Sequence, residues 1–144
     1  MTQRPPADSR LDGLLGYHLR RAQLRAFAAF AREVAGLSPM LFGVLATIEA
    51  RPGIGQGEIA DVLGADRSTM VRLVDQLERR DLVRRESRPD DRRTVVPTLT
   101  EGGRAALAAA TPQVLASEEL FAGDLSPDER RTLADLLQRI AATD

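Results

Sequence analysis

The stretch Gly64 to Val83, GADRSTMVRLVDQLERRDLV, constrains this chain more than any other. Met70, Leu73, Val74 and Leu77 recur at i, i+3, i+4 and i+7, so they share one stripe of a helix. Ser68, Arg72, Asp75 and Arg79 take the opposite stripe. A helix so patterned buries the first stripe in a core and leaves the second outside. Asp66 is placed to cap it, accepting from the free N–H groups at Ser68 or Thr69. Arg67, Ser68 and Thr69 crowd the first turn, where spare N–H groups and short hydroxyls suit phosphate oxygens and base edges. Taken alone, the pattern fits an ordinary amphipathic surface helix equally well.

What flanks the stretch is more telling. A short helix is predicted over Gln56 to Leu63, with Ile59, Ala60, Val62 and Leu63 on its buried side and Gly64 as its terminator. Two short helices joined at a glycine, the second polar at its start, make a helix-turn-helix pattern, though such hairpins also occur in proteins that touch no DNA. The second helix ends near Arg80-Asp81, where Asp takes the left-handed position that glycine fills best. Leu82–Glu86 and Thr94–Leu99 then read as strands around Ser87-Arg88-Pro89-Asp90-Asp91-Arg92-Arg93, a β-hairpin with a charged tip. Such a tip is ordinarily a solvated loop. One strand away from a polar helix it also suits a wing, with Asp91 bracing the arginine side chains so that Arg92 or Arg93 enters a narrow minor groove. Pro97 requires an edge strand, or a proline that faces away from its partner.

Both ends of the chain are apolar. Leu11, Leu15, Leu19, Ala22, Ala26 and Phe30, broadened by Leu14, His18, Phe27 and Val34, predict a helix of about 25 residues from near Ser9, which needs another chain or another long helix to cover it. Gly36 closes it, and Ser38-Pro39 opens a helix with Met40, Leu41, Val44, Leu45 and Ile48 inward, ended by Pro52-Gly53. Thr100 caps a further helix that Pro112 should kink or interrupt. Ser126-Pro127-Asp128-Glu129 is a capping box before a last helix with Leu133, Leu136, Leu137 and Ile140 inward.

Composition removes several classes of function. The chain has 144 residues and no cysteine, which excludes thiolate zinc sites and thiol redox sensing. A single histidine, His18, leaves no histidine metal cluster or Ser/His triad. No phosphate loop, nucleophile motif or metal-ligand spacing occurs, so no catalytic residue, metal or cofactor is expected and the chain is read as no enzyme. Without an apolar run of about 18 residues or a leader it is expected in the cytoplasm, away from membranes. Net charge is −1, yet nine of the 20 arginines lie between residues 67 and 93, whereas residues 101–144 hold four arginines and eight acids. Such clustering suits a polyanion better than the net charge suggests.

The order of elements resembles the MarR family of bacterial winged-helix regulators, over about residues 10 to 141. Two motifs carry the likeness. One is Asp66-Arg67-Ser68-Thr69-Met70-Val71-Arg72-Leu73-Val74-Asp75-Gln76-Leu77-Glu78, similar to that family's recognition helix. The other is Asp91-Arg92-Arg93 followed by Leu99-Thr100-Glu101-Gly102-Gly103, similar to its wing tip and the Leu-Thr-x-x-Gly that opens its fifth helix. Asp81, where the family often has Gly, and Pro97 depart from the pattern.

The resemblance implies a mainly α (α+β) winged helix-turn-helix with a two-stranded β wing and long terminal dimerisation helices. Residues 1–8 would be a loose tail and 9–144 one domain, with 9–35 and 100–144 pairing two chains and 38–99 forming the DNA-binding lobe. It implies a homodimer on double-stranded DNA at a pseudo-palindromic operator. Arg67, Ser68, Thr69, Arg72 and Gln76 would lie along the major groove. Arg88, Asp91, Arg92 and Arg93 would serve the wing, with Arg93 in the minor groove. The implied role is a repressor released by a small aromatic or phenolic effector bound between the dimer region and the DNA-binding lobe. His18 is either a hydrogen-bonded interface residue or a contact to that effector. The alternative function is a winged-helix module that binds protein and no DNA.

Overall fold

The computed structural model describes residues 10–142. In chain order they form α1 (Leu15–Glu33), α2 (Pro39–Ala50), α3 (Gln56–Leu63), α4 (Arg67–Arg79), β1 (Val83–Ser87), β2 (Val95–Leu99), α5 (Glu101–Ala122) and α6 (Pro127–Ala141). Contacts within the chain divide it into two compact units. One comprises Val34–Val114; the other comprises the chain up to Glu33 and from Leu115 onward.

The Val34–Val114 unit is a winged helix, and local chemistry sets each of its boundaries. Ser38 caps α2 by accepting from Leu41 N–H at 3.2 Å, with Pro39 in the first turn, where no N–H is missed. Helices α3 and α4 end in the same way. Ala65 N–H reaches Ala60 O at 2.9 Å around Gly64, and Leu82 N–H reaches Leu77 O at 3.0 Å around Asp81. Both pivots are left-handed, with φ 65° at Gly64 and 57° at Asp81. Glycine adopts that conformation freely, whereas Asp does so at a cost. The Asp81 carbonyl accepts from the Thr100 hydroxyl at 2.6 Å, which helps to hold the pivot.

Met70, Val74 and Leu77 of α4 are wholly buried against Val44 and Leu45 of α2, Ile59 of α3, Val83 and Leu99 of the strands, and Leu107 of α5. Each such side chain stabilises the fold by about 1.5–3 kcal/mol relative to leaving it exposed. Leu73 is half-buried at the core edge. On α3 the expected buried side is correct for Ile59 and Ala60, but Val62 is exposed. At 100° per residue it lies well off the face that Ile59, Ala60 and Leu63 share.

Strands β1 and β2 pair antiparallel, Val83 opposite Leu99 and Arg85 opposite Pro97. Arg88 N–H donates to Thr94 O at 2.8 Å and Thr100 N–H to Leu82 O at 3.1 Å. Hydrogen-bonded pairs alternate along such a ladder, so Arg85–Pro97 falls at a non-bonded pair. The missing proline N–H therefore points away from β1 and costs the ladder nothing. The hydroxyl of Thr100 then caps α5, accepting from Gly103 N–H at 2.9 Å.

In the unit built from the chain ends, α1 begins at Leu15 rather than near Ser9, which lies outside the described residues. Residues 10–13 form a turn, and glycines at 13 and 16 weaken any earlier start. Pro112 does not interrupt α5, which runs unbroken from Glu101 to Ala122. Pro112 and Ala108 are both exposed, so water can satisfy the carbonyl that the proline leaves free, and the alanines around them favour helix. Ser126 and Glu129 form the expected capping box of α6. Arg130 ties α6 to α5 through a bidentate pair with Glu119, at 2.5 and 2.9 Å. Within the single chain, however, Leu133, Leu136, Leu137 and Ile140 are not inward: they are 38–55% exposed, and α6 buries no residue. Leu14, Leu15, Leu24 and Phe27 near and along α1 are exposed as well. The apolar pattern is real, but among the described residues nothing covers it fully.

Gly103 explains the close approach of α5 to the end of α4. A Cβ added there would stand 1.9 Å from the Leu82 carbonyl oxygen, a backbone atom that cannot step aside. Gly103→Ala should therefore lower stability by about 1–3 kcal/mol. Gly13→Ala, which meets nothing within 4 Å, should leave the unfolding free energy, read from urea titration, within about 0.5 kcal/mol of the native chain.

Candidate nucleic-acid interface

The candidate residues lie on α4 and on the wing, both within the Val34–Val114 unit. Asp66 anchors the start of α4. Its carboxylate accepts from Thr69 N–H at 2.7 Å, from the Ser68 hydroxyl at 2.7 Å and from the Thr69 hydroxyl at 3.0 Å. The cap is therefore at Thr69 rather than Ser68, and both hydroxyls are fixed by the same group. Those bonds, the Thr69 N–H first, hold the Asp66 carboxyl at about 2.

The arginines divide into two sets. Arg85 donates to Asp75 at 2.7 Å and to Glu78, both on α4, and so fastens β1 to that helix. Arg88 is turned toward the loop before α3. Its Nε donates to Gly53 O at 2.9 Å and its Nη2 to Glu58 at 3.3 Å, and Glu58 also receives Arg51 at 3.4 Å. Arg84 pairs with Glu86 at 2.5 Å. Of the residues named from sequence, Arg67, Arg72, Arg92 and Arg93 are exposed and form no ion pair among the described residues. The Arg67 guanidinium lies over Gly57 of α3, where a Cβ would meet it. Gln76 and Ser68 are exposed on α4, and Thr69 is half-buried.

Asp91 braces the wing differently from the expectation. It holds the turn itself rather than arginine side chains, accepting from the Thr94 hydroxyl at 2.6 Å and from the backbone N–H of Arg93 at 3.0 Å. The Thr94 bond, followed by that of Arg93, holds its carboxyl below the usual range. The turn is thereby fixed while the Arg92 and Arg93 side chains stay free of it. Sequence reasoning missed the ion pairs of Arg85 and Glu58, because those partners lie 7 to 30 residues away with no local spacing to signal them.

His18 belongs to the other unit. Its Nε2–H donates to the Asp12 carbonyl at 2.8 Å, and its ring meets Tyr17 edge-on at 5.5 Å. It lines a groove of about 610 Å³ between α1 and α6, with Leu15, Leu19, Leu133, Leu136 and Ile140.

A solvent-facing capped helix bearing unpaired arginines, followed by a braced wing with two more, defines a winged helix-turn-helix of the nucleic-acid-binding class. Comparison with known proteins agrees. The MarR family model matches residues 37–95. A protein of Thauera aromatica, named as the transcriptional regulatory protein for the hcr operon, is 40% identical over 137 residues, 93% of this chain and 82% of that one. The transcriptional repressor CouR bound to a 23-mer DNA duplex superposes with a TM-score of 0.82 at 43% identity, covering 91% of this chain and 94% of that one. CouR bound to p-coumaroyl-CoA superposes with a TM-score of 0.83 at 37% identity, covering all of both chains. The chain belongs to the MarR family. No described helix is long and apolar enough to cross a membrane.

The Asp66 cap carries a pH signature. Its carboxyl falls from an ordinary 3.8 to about 2 on folding, so the unfolded chain binds more protons in that interval. Stability from this group is complete above about pH 4 and is lost as pH falls through about 2. Asp66→Asn keeps a cap without the charge. The stability difference between the native chain and this variant should rise from pH 2 to about pH 4 and stay level above it, as read by urea midpoints.

Proposed function

We propose that this chain is a homodimeric transcriptional repressor that binds a pseudo-palindromic duplex and leaves it when a small aromatic ligand binds. The observation that carries the proposal is the division of the arginines. Arg84, Arg85 and Arg88 are consumed in ion pairs that set the wing, while Arg67 and Arg72 on α4 and Arg92 and Arg93 on the wing keep their charge for an external anion. Arg67, Ser68, Thr69, Arg72 and Gln76 follow the major groove. Arg93 enters the minor groove on a turn that Asp91 stiffens. Arg88 serves by posture, through Gly53 and Glu58.

The dimer is supported by the exposed leucines of α1 and α6, an apolar surface that water covers poorly and a second copy covers well. The ligand proposal draws on the p-coumaroyl-CoA held by a relative and on the apolar groove beside His18. The site of action is the cytoplasm, where the duplex is.

Anisotropy titration of a labelled duplex tests the reading as a whole. If each subunit neutralises about four phosphates, log affinity should fall with log salt at a slope of about −7. Arg93→Ala should weaken binding by about 1–3 kcal/mol. An aromatic acyl thioester should release the duplex from the native chain and release less from His18→Ala. A salt-independent signal, or full affinity in Arg93→Ala, contradicts the assignment.

A further inference from the structure

We propose that Val71 reads the methyl group of a thymine in the major groove and so fixes one T·A pair in each half-site. The inference rests on the DNA-binding reading above and extends it to a residue that neither the arginine pattern nor the capping chemistry singles out.

Val71 faces away from the core. Its neighbours in sequence and on the next turn, Met70 and Val74, are fully buried, whereas Val71 is 44% exposed. At 100° per residue it stands on the flank of α4, between buried Val74 and the outer stripe, one turn from Arg67, Ser68 and Asp75. Each of those three carries a polar or charged group; Val71 alone among them carries none. Two of them are held by other partners, Ser68 by Asp66 at 2.7 Å and Asp75 by Arg85 at 2.7 Å, so neither folds over the isopropyl group.

Folding gives only a small reason for valine at this position. A β-branched residue is a poorer helix former than Ala, Gln or Arg, and at 44% exposure Val71 gains less from burial than Met70 or Val74 does. Single exposed valines are common on protein surfaces, and Val62 and Val95 are two more here. Those two stand on α3 and at the start of β2, not on α4 beside Ser68. In a major groove the base edges offer hydrogen-bonding groups and a single kind of apolar group, the thymine methyl. An isopropyl group bordered on its outer side by polar side chains, on a groove-facing helix, matches that one feature and no other on the base edges.

The full-length chain would first be used to enrich duplexes from a randomised pool. Each thymine of the enriched duplex would then be replaced in turn by deoxyuridine, which removes only the methyl. Affinities would be measured for the native chain and for Val71→Ala, a change on an exposed helix face that favours helix. One thymine per half-site should be sensitive. Burial of one carbon predicts a loss of about fourfold per methyl and about 14-fold when both half-sites are replaced. Val71→Ala should lose a comparable factor on the thymine duplex and show no further loss with deoxyuridine at that position. A native chain indifferent to deoxyuridine at every position, or a Val71→Ala chain as sensitive as the native one, overturns the proposal. If no duplex is enriched at all, the DNA-binding reading fails and takes this inference with it, a result distinct from enrichment without methyl sensitivity.

Discussion

Three side chains of one helix, Met70, Val74 and Leu77, see no solvent, and the winged unit is built on that fact. They set the rotation of α4 about its axis. Once they are inside, Ser68, Arg72 and Gln76 have to be outside, because the helix repeat allows no other arrangement. The Asp66 carboxylate fixes where the helix begins, and the left-handed Asp81 fixes where it stops. Position, rotation and length of the presented surface therefore follow from a few local contacts and one apolar stripe.

The wing depends on the same helix. Arg85 reaches from β1 to Asp75 and Glu78, so the hairpin cannot shift without breaking ion pairs to α4. Exposed pairs of this kind add little to stability on their own. Their consequence is geometric. They use up some of the basic charge to hold the hairpin and leave Arg92 and Arg93 at a tip whose backbone Asp91 has already ordered. Ordering the turn before any ligand arrives lowers the entropy cost of binding there.

Features governed by neighbours in sequence were legible in advance. Ser38-Pro39, Gly64, Asp66 and the Ser126/Glu129 box each act across a few residues, and each stands where its type predicts. Asp81 was legible as a strained substitute for glycine, and Pro97 as a mark of an edge strand or of a nitrogen turned away from its partner. What sequence could not give is pairing at long range. Glu58 gathers Arg51 and Arg88 from opposite directions, and no spacing announces it. The reach of Asp91 toward the Thr94 hydroxyl and the Arg93 N–H rather than a guanidinium was equally hidden, since arginines and these partners all lie within three residues and composition does not choose between them. The α6 leucines show a different limit. Periodicity reveals that a face is apolar but not which chain covers it.

The central claim is that two copies of this braced helix and wing meet one duplex at a fixed separation. Hydroxyl-radical footprinting of the full-length chain on an enriched duplex measures that separation directly. The account predicts two protected windows related by two-fold symmetry, with centres about 10–10.5 base pairs apart and further minor-groove protection outside them. A single window, or two windows at any other spacing, would contradict it.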